Sequence, residues 1–171
     1  MFDLNGQIAV VTGGASGIGK GIVTSLSKAG AKVMILDLDE EKGNEVANEV
    51  NGQFFKTDIT NEQQVKKVIA TIVNEHGKID ILAANAGMYP QVMIEDMTEE
   101  DWDRVFDLNL KGMFYTVKPV LKVMKENGYG RVILTSSVTG DITGYPGGAA
   151  YGATKAGALG FMRSAAMEYA K

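Results

Sequence analysis

Short apolar runs alternate along the chain with longer stretches whose apolar positions recur at helical spacing. QIAVVT at 7–12, KVMILDL at 32–38, QFFK at 53–56, IDILAA at 79–84 and RVILT at 131–135 read as five strands. Each is apolar nearly throughout, the pattern of a strand covered on both faces. Between them lie helical stretches: one after Gly19 that closes at Gly30, a charged-faced one over 39–50, and one over 61–75 with Val65, Val68, Ile69 and Ile72 on one side. One or two more fill 98–125, and a small-residue-rich helix carries Tyr151 and runs almost to the last residue. Strand and helix alternating with short connections imply a parallel sheet, and right-handed crossovers make a doubly wound α/β sheet the simplest topology. No repeat, linker or low-complexity segment divides the 171 residues, so a single domain over 1–171 is expected.

Composition narrows the classes of function. Hydrophobic residues make up 45% and charged residues 22%, which is ordinary for a globular chain and argues against disorder. The formal net charge of -4, with no basic run, gives no surface for nucleic acid or an anionic membrane. With no cysteine there is no disulfide framework, thiolate metal site or cysteine nucleophile, and no metal site is expected. The amino terminus carries no signal-like region and no apolar run approaches a membrane span, so a cytoplasmic location is the default expectation. The one histidine, His76, falls at a helix end, where a capping or solvated role is expected.

Two stretches point to chemistry. Gly13-Gly-Ala-Ser-Gly17-Ile-Gly19 joins the first strand to the first helix, letting the backbone turn sharply and a pyrophosphate approach the helix amides. Asp37 ends the second strand 18 residues after Gly19, close to the spacing at which a carboxylate accepts hydrogen bonds from an adenosine ribose. Asp39 can cap the next helix equally well, which leaves Asp37 free for that ribose. A carboxylate there also repels a 2′-phosphate, so NAD is expected over its phosphorylated counterpart. Further on, Tyr151 and Lys155 are four apart on one helix face. An ammonium beside a phenol lowers the pKa of a group that ordinarily titrates near ~10, bringing it within reach of proton transfer.

Together these residues resemble the short-chain dehydrogenase/reductase family. The resemblance rests on Thr12-Gly13 to Gly19, Asp58 after the third strand, Asn85-Ala86-Gly87 after the fourth, Asn109 in Leu-Asn-Leu-Lys-Gly, Ser137 after the fifth, and Tyr151-x-x-x-Lys155. It runs over almost the whole chain. It implies a Rossmann-like fold and reversible hydride transfer between NAD(H) and a secondary alcohol or ketone. By the same resemblance Tyr151 is the general acid/base and Ser137 bonds the substrate oxygen. Lys155 then binds the nicotinamide ribose, and Asn109 holds a water in a proton relay. The cofactor-binding set it implies starts with Gly13, Ser16, Gly17, Ile18, Gly19 and Asp37. Asp58, Ile59, Asn85, Ala86 and Gly87 complete it, with Tyr151 and Lys155 at the reactive end. Ser136 rivals Ser137, and Asn109, among Phe106, Leu110 and Phe114, is equally explained as a buried, satisfied amide.

The chain departs from the family at Ala84, where Asn is frequent. It also carries no counterpart of the family's sixth and seventh strands or substrate-closing loop, which reads as a domain truncated at its carboxyl end. Such a form leaves a sheet edge and one side of the last helix exposed, and it admits a second class of function: a non-catalytic NAD-binding or scaffold module. Small residues at Ala153, Ala156, Gly157 and Gly160 fit the helix packing through which the family forms a homo-oligomer, a dimer or tetramer. A small-molecule alcohol or carbonyl substrate is expected, bordered by Met88, Tyr89 and Pro90 and by the loop over 141–146.

Overall fold

β1 (Ile8–Thr12) is buried along its whole length, as its run of β-branched and small apolar residues requires of a central strand. A computed structural model describes residues 3–170. In it β1 pairs in parallel with β2 (Lys32–Asp37) on one side and β4 (Ile81–Ala84) on the other. Outside these lie β3 (Gln53–Lys56) and β5 (Arg131–Leu134), giving the order β3-β2-β1-β4-β5. The order reverses between β1 and β4, so the crossovers leave the sheet on opposite faces and a crevice opens at the carboxyl ends of those two strands. The expected doubly wound sheet is the one observed.

Two apolar layers cover the sheet. On one face Val10, Met34, Leu36 and Leu82 pack with α3 (Glu62–His76) and α5 (Met113–Asn127). On the other, Ala9, Val11, Val33, Ile35 and Ala83 pack with α1 (Gly17–Lys28) and α2 (Glu40–Val50). α2 begins where expected because the Asp39 carboxylate accepts the Lys42 amide, and α3 because the Asn61 side chain accepts those of Gln63 and Gln64. α4 (Glu99–Phe106) opens on a capping box of Thr98 and Asp101. α6 (Ala149–Tyr169) follows the Gly-rich loop after β5.

Two local readings change and a third is sharpened. β4 begins at Ile81, two residues later than expected, although Asp80 keeps backbone bonds to both neighbours, its amide donating to the Ile8 carbonyl and its carbonyl accepting the Arg131 amide; its carboxylate accepts the Ile8 amide at 2.7 Å and the Lys78 ammonium at 3.0 Å. His76 is neither a cap nor solvated; its Nε2 meets Gln53 Oε1 at 2.9 Å, tying α3 to β3, while Gly77 in a left-handed conformation closes the helix. Of the one or two helices expected over 98–125 there are two, α4 and α5, joined by a π-helical turn over Asp107–Gly112. Such a turn inserts a residue into the helical ladder and re-aims the side chains within it, here Asn109.

Candidate active site

A cleft of about 530 Å³ lies over the carboxyl ends of β1 and β4. It is lined by every cofactor residue expected from the sequence: Gly13 and Ser16 to Gly19 of the turn, Asp37, Asp58 and Ile59, Asn85 to Gly87, and Tyr151 with Lys155. Its glycines are required by geometry at two points. Gly13 has a φ of +67°, and a Cβ there would come within 2.9 Å of the Ala86 backbone. At Gly19 a Cβ would fall 1.8 Å from the Gly13 carbonyl oxygen, so only glycine lets the turn fold back onto the first turn of α1. Gly17 faces open space, and Ser16 lends no side-chain oxygen to the amides behind it, so these donors are left for an anion in the cleft.

Asp37 is not free in the sense expected. One carboxylate oxygen accepts the Ala15 amide at 3.0 Å and the other the Asp39 amide at 3.1 Å. It therefore fixes the Gly-rich turn against β2 and still presents lone pairs to the cleft, because each oxygen can accept twice. Asp58 likewise binds Thr60 through its amide and hydroxyl. Ile59 is buried at the cleft floor and packs against Gly112.

Behind the cleft runs a network that the motifs did not reveal. Thr12, fully buried at the end of β1, accepts through its hydroxyl from the amides of Asn85 at 3.0 Å and Ala86 at 3.1 Å. The Asn85 side chain donates back to the carbonyls of Thr12 and Gly13 and accepts the Thr135 hydroxyl at 3.2 Å. A polar residue ending an otherwise apolar strand was the available signal, since strand ends in such a sheet meet the ligand crevice. Thr12→Val should leave the half-buried Asn85 and Ala86 amides without that acceptor, costing on the order of 2 kcal/mol. Urea unfolding monitored by circular dichroism checks this, with a lower midpoint at unchanged slope expected.

At the reactive end, the Lys155 ammonium lies 5.6 Å from the centre of the Tyr151 ring and donates to the Thr135 carbonyl at 2.7 Å. Burial holds the Lys155 pKa below the usual lysine range. Tyr89 meets the Tyr151 ring edge-on at 6.2 Å, and Met88 and Tyr89 line the cleft as expected, whereas Pro90 and the loop over 141–146 lie outside its lining. The two serines separate. Ser136 donates its hydroxyl to the Lys155 carbonyl, whereas the Ser137 oxygen accepts the Thr139 amide and keeps its own proton to donate. Ser137 and Asn109 stand outside the cleft lining. Asn109 is buried, its amide bonded to the Met88 amide and carbonyl, both at 2.8 Å, and to the Thr154 hydroxyl. Its side chain clamps the segment after β4, so the satisfied-amide reading describes it and the side chain is already committed. Gly157 packs against Leu110 within the chain, while Gly160 is open.

A doubly wound parallel sheet with a glycine-rich turn at its switch point, and an acidic residue at the end of β2, is a Rossmann-like fold. Residues 7–171 match the family model for the short chain dehydrogenases, and the chain belongs to that family. It is 37% identical over 172 residues to a 3-oxoacyl-acyl-carrier-protein reductase of Thermotoga maritima, a match covering 98% of this chain and 70% of the relative. It is 33% identical to the cyclopentanol dehydrogenase of a Comamonas species, covering 99% of this chain and 70% of that protein. Among solved structures, an NAD+-bound xylitol dehydrogenase superposes with a TM-score of 0.93 at 30% identity, over 97% of this chain and 66% of that one. The chain thus spans about two thirds of the length of these relatives. No helix among the described residues is long and apolar enough to cross a membrane.

Proposed function

We propose that the protein transfers a hydride between NAD(H) and a secondary alcohol or ketone, with Tyr151 as the proton-transfer group. The observation that carries this reading is that Tyr151 and the Lys155 ammonium open into the same cleft as the Gly-rich turn and Asp37. Bound in that cleft, NAD supplies an acceptor for the two electrons and the hydrogen that leave the carbinol carbon as a hydride. The carbinol proton passes to the Tyr151 oxygen in oxidation and returns from it in reduction. Lys155 places a positive charge beside the ring that carries negative charge when Tyr151 has given up its proton. Ser137, with its hydroxyl proton uncommitted, donates to the substrate oxygen, where charge develops. Asn109 acts by holding Met88, and with it the wall of the cleft, in place. Oxidation of a panel of secondary alcohols, followed by the rise of reduced cofactor at 340 nm, tests the reading. Binding of NAD without turnover of any alcohol or ketone would favour the non-catalytic module instead.

NAD rather than its 2′-phosphorylated form is supported by the Asp37 carboxylate in the cleft and by the absence of a basic side chain at Ser16. Like charges should repel there. Asp37→Ala is expected to lower the NADH-over-NADPH affinity ratio at least ~10-fold. The ratio is the useful quantity, because the loosening of the Ala15 and Asp39 amides weakens both cofactors alike. Fluorescence titration of each reduced cofactor measures it, and an unchanged ratio would remove Asp37 as the discriminating group.

A further inference from the structure

Thr135 is the first residue past β5 and uses three polar groups on three different partners. Its amide donates to the Ala84 carbonyl at 3.1 Å, continuing the sheet by one rung. Its hydroxyl donates to Asn85 Oδ1, and its carbonyl accepts the Lys155 ammonium. The next residue, Ser136, binds the backbone carbonyl of the same lysine at 3.2 Å. The exit of β5 therefore grips Lys155 at both its main chain and its ammonium. A lysine side chain has four rotatable carbons, and fixing its end beside one ring needs such an acceptor. The ammonium has three donors, so one bond to Thr135 leaves two for groups in the cleft. The other titratable groups lining that cleft are Tyr151, Tyr89, Asp37 and Asp58.

We infer that Thr135 is a positioning residue for the Tyr151–Lys155 pair, holding the ammonium through its carbonyl while its hydroxyl, through Asn85, ties that carbonyl to the glycine turn on β1. The inference rests on the proposed hydride transfer for its meaning in catalysis, and on hydrogen bonds alone for its geometry. The linkage runs from Gly13 through Asn85 and Thr135 to Lys155 without a break, so the anion turn and the reactive end are set by one network. Thr135→Val removes the hydroxyl and keeps the β-branched shape; Asn85 Oδ1 then loses its donor and the carbonyl its lateral restraint.

The test is the rate at which Lys155 is reductively methylated at fixed pH, read by peptide mass spectrometry against exposed Lys122 as an internal standard. In Thr135→Val, Lys155 should be labelled at least ~5-fold faster relative to that standard, equivalent to about 1 kcal/mol. Thr135→Ser, which restores the hydroxyl, should return the rate to within about twofold of wild type. Should Thr135→Val not fold, Thr135→Ala deletes the same hydroxyl without a methyl beside the Asn85 amide. The kinetic counterpart is a fall of about 10-fold in kcat with the KM for NAD within about threefold, again rescued by serine. Wild-type labelling rates in the folded hydroxyl-less variant would overturn the inference. Absence of turnover in the wild-type protein would count against the hydride-transfer reading alone, since labelling still decides where the ammonium is held.

Discussion

Tyr151→Phe is expected to lower kcat at least ~100-fold while leaving the NAD dissociation constant within about threefold of wild type. The substitution deletes one oxygen and keeps the ring, so the edge-on contact with Tyr89 and the ring beside Lys155 persist. What goes, under the proposed function, is the acceptor and donor of the carbinol proton. The Tyr151 backbone carbonyl, which accepts the Thr154 hydroxyl at 2.7 Å, is untouched, so the start of α6 should hold. Stopped-flow reduction of NAD at saturating alcohol, with parallel cofactor titration, separates the two quantities. A variant that keeps the wild-type rate would place the proton-transfer group elsewhere; one that loses cofactor binding in proportion to rate would make Tyr151 a binding residue.

Gly19→Ala should act on fold and cofactor together. The added methyl would sit 1.8 Å from the Gly13 carbonyl oxygen, a backbone atom that cannot rotate away, and close to the Asn85 amide. Relief requires either the glycine turn or the first turn of α1 to move, at a cost on the order of 3 kcal/mol. For a chain of this size that corresponds to a thermal midpoint lower by roughly 6–12 °C. The donors left uncapped at the start of α1 would move with it, so NAD affinity should fall even at temperatures where the variant is folded. Gly21→Ala is the control on the same helix, because a Cβ at Gly21 meets nothing within 4 Å. It is expected to be neutral or stabilising by up to about 1 kcal/mol.

These expectations rest on features that the sequence displayed unequally. The cleft residues were legible because each set is contiguous in the chain and sits at a strand end: Gly13 to Gly19 after β1, Asp37 in β2, Asn85 to Gly87 after β4. Periodicity located the strands to within two residues, since burial on both faces leaves a continuous apolar run with polar residues at its ends. Partners far apart in sequence were not legible. Thr12 and Asn85 are 73 residues apart and Asn85 and Thr135 are 50 apart, and no local rule pairs one hydroxyl with one amide at such distances. The double use of Asp37 was hidden for a related reason, as the Ala15 amide it accepts belongs to another element. The π-helical turn escaped because helical spacing on both sides of Asn109 masks a single inserted residue, and the Met88 groups that Asn109 binds lie on another segment.

The strand order bears on how the molecule comes to exist in time. The cleft sits on the seam between β1 and β4, whose joining bond from Ile8 to Asp80 closes a separation of 72 residues, while β1, β2 and β3 are neighbours that can pair early. A nascent chain that has exposed only β1 to β3 already has its glycine turn and Asp37, yet lacks the wall made by Asn85, Ala86 and Gly87. The cleft is therefore completed late in synthesis, once the long-range pairing of β1 with β4 has formed. Under the proposed function, a dinucleotide bound in the cleft would from then on stabilise the completed sheet over every partly paired state by mass action, a folding ligand before it is a reactant.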